Sequence, residues 1–217
     1  MIKACIFDLD GVIVDTAKYH FIAWKRLANE LGIDLTEAEN EELKGVSRMQ
    51  TLEIILEKGH LQNNFSQEEK IALATKKNEW YREFVKKMDR NEVLPGVVDF
   101  LETLQANHIK IALGSASRNA PTILEVTNMQ HYFEVVIDGN KTTRSKPDPQ
   151  VFQMGATELG VAPNEAVVFE DSIKGLNAAL TGGFFAVGIG NPEQLGHAHF
   201  VVSGLHEMTF DRLSTFS

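Results

Sequence analysis

Cysteine is nearly missing from this chain: Cys5 is the single one in 217 residues. That excludes an internal disulfide framework and a cysteine-based zinc site. Positive charge is in short supply, with 21 Lys and Arg against 30 Asp and Glu and a net charge of −9, which argues against a broad nucleic-acid surface. No apolar run approaches the roughly 20 residues that a membrane helix needs. Acids interrupt the apolar stretch of residues 1–15, which argues against a signal peptide. Repeats, low-complexity tracts and long linkers are also absent. The hydrophobic share is 43% and the charged share 24%, so the composition is that of a folded globular protein of one or two domains. A soluble, cytoplasmic α/β protein is expected.

Short, almost continuous apolar runs at 4–7, 109–113, 135–137, 166–169, 186–189 and 200–202 read as parallel strands covered on both faces. Amphipathic stretches at 97–105, 121–128, 149–159 and 173–180 alternate with the later strands, which predicts a doubly wound α/β domain. The interval from 16 to 89 has no strand run. There Phe21, Trp24, Leu27, Ala28 and Leu31 follow helical spacing, with Gly32 as a left-handed stop. Thr36 with Glu39, Ser47 with Gln50 and Ser66 with Glu69 match capping boxes. A helical domain of residues 16–89 inserted into a core of 1–15 and 90–217 is the simplest reading.

Asp8 and Asp10 follow the first apolar run, and a spacing of two places both carboxylates on one face of a strand end. They are either two unrelated solvated acids or a pair that needs a cation or a shared proton, and an all-oxygen site suits Mg²⁺. Ser115 lies just past the strand at 109–113, within Gly114-Ser115-Ala116-Ser117-Arg118-Asn119. That segment is a phosphate cradle or an ordinary strand-to-helix turn. Lys146 precedes a helix expected to have Asp148 as its N-cap and Pro149 at its first position; alone, it reads as a solvated lysine. Glu170 and Asp171 form a second acidic pair at a strand end, with Ser172 a cap for the helix from Ile173. Ligands of open α/β sheets bind at the carboxyl ends of strands, and here four such ends carry chemistry in order. A dinucleotide fingerprint, a Walker A loop, a nucleophile elbow and zinc-spaced histidines are all missing.

The ordered set Asp8-Leu9-Asp10-Gly11-Val12, Ser115, Lys146-Pro147-Asp148 and Glu170-Asp171-Ser172 resembles the haloacid-dehalogenase-like phosphotransferases. The likeness extends to their phosphosugar-mutase branch over essentially the full chain. Residues 15–24 are similar to that branch's first cap helix, 43–48 to its substrate-reading cap loop and 76–78 to a further cap segment. Departures are Gly114 for an expected Ala, Arg118 for a usual Lys, Lys174 at a position usually small, and Thr181-Gly182-Gly183 for an Ala-Gly ending.

The resemblance implies a Mg²⁺-dependent conversion of β-glucose 1-phosphate to glucose 6-phosphate through an aspartyl phosphate and a sugar bisphosphate. Asp8 is then the nucleophile and Asp10 the general acid and base, with Ser115 and Lys146 holding the transferring phosphoryl group. The metal falls to Asp8, Asp10 (through its carbonyl), Asp171 and the adjacent Glu170. On the cap, Thr16, His20, Trp24 and Lys77 face substrate, as does the loop Gly45, Val46, Ser47 and Arg48, with Arg48 gripping the second phosphate. Ala116, Ser117, Arg118 and Asn119 assist from the core. The implied partner is a small sugar phosphate acting on a monomer, with no nucleic acid or membrane involved. The rival readings are a sugar-phosphate phosphatase using the same Asp8 chemistry and a catalytically silent phosphate-binding regulator.

Overall fold

Period-two alternation along the first strand sorts its side chains onto two separate cores. In the computed structural model, which describes residues 1–43 and 46–216, β1 spans Ala4–Phe7. Cys5 and Phe7 enter one apolar cluster and Ala4 and Ile6 the other, as a sheet buried on both faces requires. The other strands are β2 (Lys110–Gly114), β3 (Val135–Ile137), β4 (Ala166–Glu170), β5 (Phe185–Ile189) and β6 (Phe200–Val202). All pair in parallel, in the order β3-β2-β1-β4-β5-β6. The expected doubly wound α/β sheet is present, and its direction of growth reverses at β1, which opens a crevice at the carboxyl ends of β1, β2 and β4.

Four helices lie between β1 and β2 before the core resumes: α1 (Ala17–Glu30), α2 (Glu37–Glu41), α3 (Arg48–Lys58) and α4 (Gln67–Val85). They bury their own cluster, centred on Trp24, Leu27, Leu52, Ile55 and Leu56. Thr36 and Ser66 form reciprocal capping boxes with Glu39 and Glu69, as expected. Ser47 accepts from the Gln50 amide, but the return bond of a capping box is not made. Gly32 takes φ +74, the left-handed stop anticipated for α1. The chain leaves and re-enters the core side by side: the Asp15 amide donates to the Glu92 carbonyl at 2.9 Å, and Leu94 N to Ile13 O at 3.0 Å.

Four longer helices flank the sheet, α5 (Val97–Ala106), α6 (Ala120–Val126), α7 (Gln150–Leu159) and α8 (Ile173–Thr181), and two single-turn helices follow, α9 (Pro192–Leu195) and α10 (Phe210–Leu213). Phe7 stacks on Phe169 with centroids 4.6 Å apart, and Phe100 of α5 meets both rings edge-on, locking β1, β4 and α5 together. Most sequence-expected edges agree within two residues, and two local assignments are corrected. Pro149, not Asp148, is the N-cap of α7; Asp148 instead accepts from the Gln150 amide at 2.9 Å. β1 ends at Phe7, so Asp8 and Asp10 lie in the following turn rather than on one strand face. Among the described residues, no helix is long and apolar enough to cross a membrane.

Candidate active site

Asp8 leaves β1 on the sheet's axis of reversal and is almost fully buried. Its Oδ1 accepts from Lys146 Nζ at 2.5 Å, and its Oδ2 from the Asp10 amide at 3.0 Å. Lys146, read alone as a surface lysine, is 1% exposed and donates a second bond to Glu170 Oε2 at 2.7 Å. Burial works against its ammonium, but the Asp8 and Glu170 carboxylates outweigh that and hold it protonated well above the ordinary lysine value. Glu170, the last residue of β4, is fully buried, and its other oxygen accepts from Ser172 Oγ at 2.6 Å and Ser172 N at 3.1 Å. That orients the carboxylate and caps α8 with one serine, since Ser172 Oγ accepts from Gly175 N at 3.1 Å.

Asp8, Glu170 and Asp171 each place a carboxylate oxygen within 4.8 Å of the others. Three acids and one ammonium leave excess negative charge in a largely buried site, and burial with Glu170, Asp10 and Asp171 pushes the Asp8 carboxyl up against the pull of Lys146. An all-oxygen donor set of this charge fits a hard divalent cation. Gly11 permits the approach: it sits at φ +86, and a Cβ there would fall 2.3 Å from Asp171 Oδ2. The Asp10 side chain is not a member of this cluster. Its Oδ1 instead accepts from the hydroxyl of fully buried Thr16, with His20 Nε2 at 3.8 Å.

The helical block builds the opposite wall. Lys77 of α4 is 2% exposed and lies 4.5 Å from the Trp24 ring centroid and 5.0 Å from that of Tyr81. Its Nζ is 3.0 Å from His20 Nδ1, and the His20 ring stacks on Tyr81 at 4.0 Å. Burial and the Arg48 charge drive the Lys77 pKa well below its usual value; burial, Lys77 and Arg48 do the same to His20. Burial raises the Asp10 carboxyl, opposed by the Thr16 hydrogen bond and the charges of Lys146 and Lys77. A carboxyl shifted upward therefore sits beside two bases shifted downward.

Ser115 is fully buried, and its Oγ accepts from Ser117 N at 3.0 Å, while Ser117 Oγ accepts from Asn119 N at 3.2 Å. These two tight turns curl the segment after β2 toward the cleft. Asn119 Nδ2 then donates across it to Asn78 Oδ1 of α4 at 3.0 Å. Arg118 is pinned by its Nε to Gly139 O at 3.1 Å. The Arg48 guanidinium is depressed first by burial and next by the charge of Arg118 facing it. Two cations on opposite walls of one cleft call for an anion between them.

That cleft has a volume of about 510 Å³. Of the residues singled out in the sequence, Asp8, Asp10, Lys146 and Asp171 line its floor. His20, Trp24, Val46, Ser47, Arg48 and Lys77 line it from the helical block, and Ala116, Ser117, Arg118 and Asn119 from the core. Thr16, Ser115 and Glu170 lie behind this surface, and Gly45 falls outside the described residues. Sequence reasoning missed Gln67, Ile71 and Thr75, which line the cleft from α4 at helical spacing, and the segment Thr142–Ser145 beyond β3. The spacing of four on α4 and the acid Asp138 directly after the third strand were the available signals.

Comparison with known proteins agrees with this geometry. A model of the haloacid dehalogenase-like hydrolase family matches residues 5–189. The chain is 39% identical to a β-phosphoglucomutase of Bacillus subtilis over 97% of this chain and 93% of that one. It is 33% identical to a phosphorylated carbohydrates phosphatase of Thermotoga maritima, over 83% and 82% of the two chains. The crystal structure of a β-phosphoglucomutase from Clostridium difficile superimposes with a TM-score of 0.96 at 41% identity, covering all of this chain and 97% of that one.

Proposed function

This chain belongs to the haloacid dehalogenase-like hydrolase family, and on that premise we propose that it is a β-phosphoglucomutase. It would interconvert β-glucose 1-phosphate and glucose 6-phosphate through a phosphorylated Asp8. The observation that carries this reading is a site with two anion-binding poles. Lys146 serves the Asp8 end, and Arg48 and Arg118 face each other farther out in the cleft. A phosphatase needs only the first pole, whereas a sugar bisphosphate needs both. Full-length likeness to two β-phosphoglucomutases supports the same choice.

In the proposed reaction an Asp8 carboxylate oxygen attacks phosphorus, the bond from phosphorus to the sugar oxygen breaks, and Asp10 donates a proton to that oxygen. These steps start from the sugar bisphosphate, which forms by their reverse when phospho-Asp8 gives its phosphoryl group to the free hydroxyl of the sugar monophosphate and Asp10 takes that proton. Lys146, oriented by Glu170, neutralises charge on the phosphoryl oxygens, and Ser115 shapes the turn that receives them. Asp8 and Asp171 would hold Mg²⁺ with the Asp10 carbonyl, Glu170 lying beside them. The bound ion would screen the repulsion between the carboxylate nucleophile and the phosphate. Residues 16–89 would act as a cap over a core of 1–15 and 90–217, pivoting on the paired connections at Asp15 and Glu92 and excluding water when closed. The proposal includes a cytoplasmic monomer acting on a small phosphosugar.

The test is ³¹P NMR of purified protein with Mg²⁺, β-glucose 1-phosphate and a trace of glucose 1,6-bisphosphate. Glucose 6-phosphate is the expected product, and inorganic phosphate alone would assign the phosphatase reading. Asp8→Asn should abolish both signals, by on the order of 10⁴-fold or more, because an amide is no nucleophile toward phosphorus. Turnover within tenfold of wild type would remove Asp8 as the nucleophile.

A further inference from the structure

Lys174 is a residue that neither the proposed chemistry nor its own helix accounts for. It sits in the first turn of α8, where unpaired amides make the local potential positive and a cation is disfavoured. Its Nζ reaches out of the core domain and donates to the backbone carbonyl of Glu42 at 3.0 Å, across 132 residues of sequence. Glu42 is the C-cap of α2, an end where helix carbonyls lack intrahelical partners. The surrounding segment is acidic, with Glu37, Glu39, Glu41 and Glu42 in succession; Glu39 is engaged by Lys58 and by its Thr36 cap. A core cation thus meets the negative end of a cap helix.

Both ends of this bond matter by position. Lys174 is three residues beyond Asp171, at the acid cluster. Glu42 is followed by Leu43, which is buried, and leads within six residues to Arg48 at the start of α3. The Asn78–Asn119 bond ties a different pair of helices, α4 and α6, so the two contacts hold separate parts of the cap. We propose that Lys174 is a positioning residue that fastens the segment leading into Arg48 onto the helix that follows Asp171. By keeping the cap down it would set how phospho-Asp8 partitions between the sugar hydroxyl and water. In either path the Asp8 oxygen–phosphorus bond breaks. The acceptor is a sugar oxygen that gives up its proton, or water that yields inorganic phosphate. The partition clause rests on the mutase reading; the fastening does not.

The test compares wild type with Lys174→Met, which keeps the stem but removes donor and charge, and with Lys174→Arg, which restores both. Amide hydrogen exchange over residues 37–43, without substrate, should speed up in the Met variant and return toward wild type in the Arg variant. Inorganic phosphate released per glucose 6-phosphate should rise roughly three- to tenfold in the Met variant, the loss of one charge-assisted hydrogen bond. Phosphorylation of Asp8 by acetyl phosphate should change less than about twofold. Unchanged exchange, an unchanged partition in an active enzyme, or failure of Arg to rescue either would overturn the proposal. If wild type makes no glucose 6-phosphate, the mutase reading falls by itself. Exchange then still decides the fastening: lost protection in the Met variant supports it, and equal exchange overturns it.

Discussion

Arg48 and Arg118 line one cleft from the helical block and the sheet side, and the charge of Arg118, after burial, depresses the Arg48 guanidinium. Such a pair destabilises the free protein slightly and favours a bound anion by the same margin. Arg48→Ala should therefore cost about 2–4 kcal/mol in the mutase step, since it removes a forked, charge-assisted contact in a closed site. Acetyl phosphate has no second phosphate, so its reaction with Asp8 should survive in the same preparation nearly unchanged. Equal loss in both reactions, or loss in neither, would take Arg48 out of the substrate site. Cys5, by contrast, is fully buried with its thiol pushed up by desolvation, and it packs as a small apolar residue.

At the scale of elements, the junction of β4 with α8 concentrates several requirements in six residues. Glu170 must reach Lys146, Ser172 must cap the helix, and the first turn of α8 must pass beside the Glu170 carboxyl. A Cβ on Gly175 would lie 2.0 Å from the Glu170 carboxyl carbon and 2.2 Å from the oxygen that accepts from Lys146. Gly175→Ala should push Glu170 off Lys146 and destabilise the fold by about 1–3 kcal/mol, as overpacking does. Activity should drop at least tenfold, read by thermal denaturation and turnover on one sample. A wild-type melt and rate would show that Glu170 does not orient Lys146. The Gly114 departure has a related cause: a Cβ there would meet the Phe152 ring at 2.8 Å, so a large ring on α7 fills the space an alanine would take.

For the whole molecule, the acid cluster is where the chain's charge of −9 becomes most costly, because Asp8 and Glu170 are buried and cannot be hydrated. A cation that binds only the folded chain stabilises it by mass action, about 2.7 kcal/mol at a hundred times its Kd. For a protein of this size that corresponds to a rise of roughly 5–10 °C in Tm. Adding Mg²⁺ should produce such a rise, a chelator should reverse it, and Asp171→Ala should abolish most of it. A melting temperature indifferent to Mg²⁺ in wild type would mean that the cluster is stabilised by protons and Lys146 alone.

The sequence by itself determined the strands, their covered faces, the helical block and the strand ends that carry Asp8, Ser115 and Glu170. Those features rest on interactions within a few residues: the two-residue pleat, the helical period and caps such as Thr36 with Glu39 and Ser66 with Glu69. Only the tertiary structure decided that Lys146 is buried, because a lysine is held inside by partners 138 and 24 residues distant in the chain. It alone turned the Asp10 side chain toward Thr16 and away from the three-acid cluster, since both directions are open to a residue in a turn. It also set Lys174 against Glu42, a meeting fixed by how α2 of the helical block rests beside α8 and by no local periodicity.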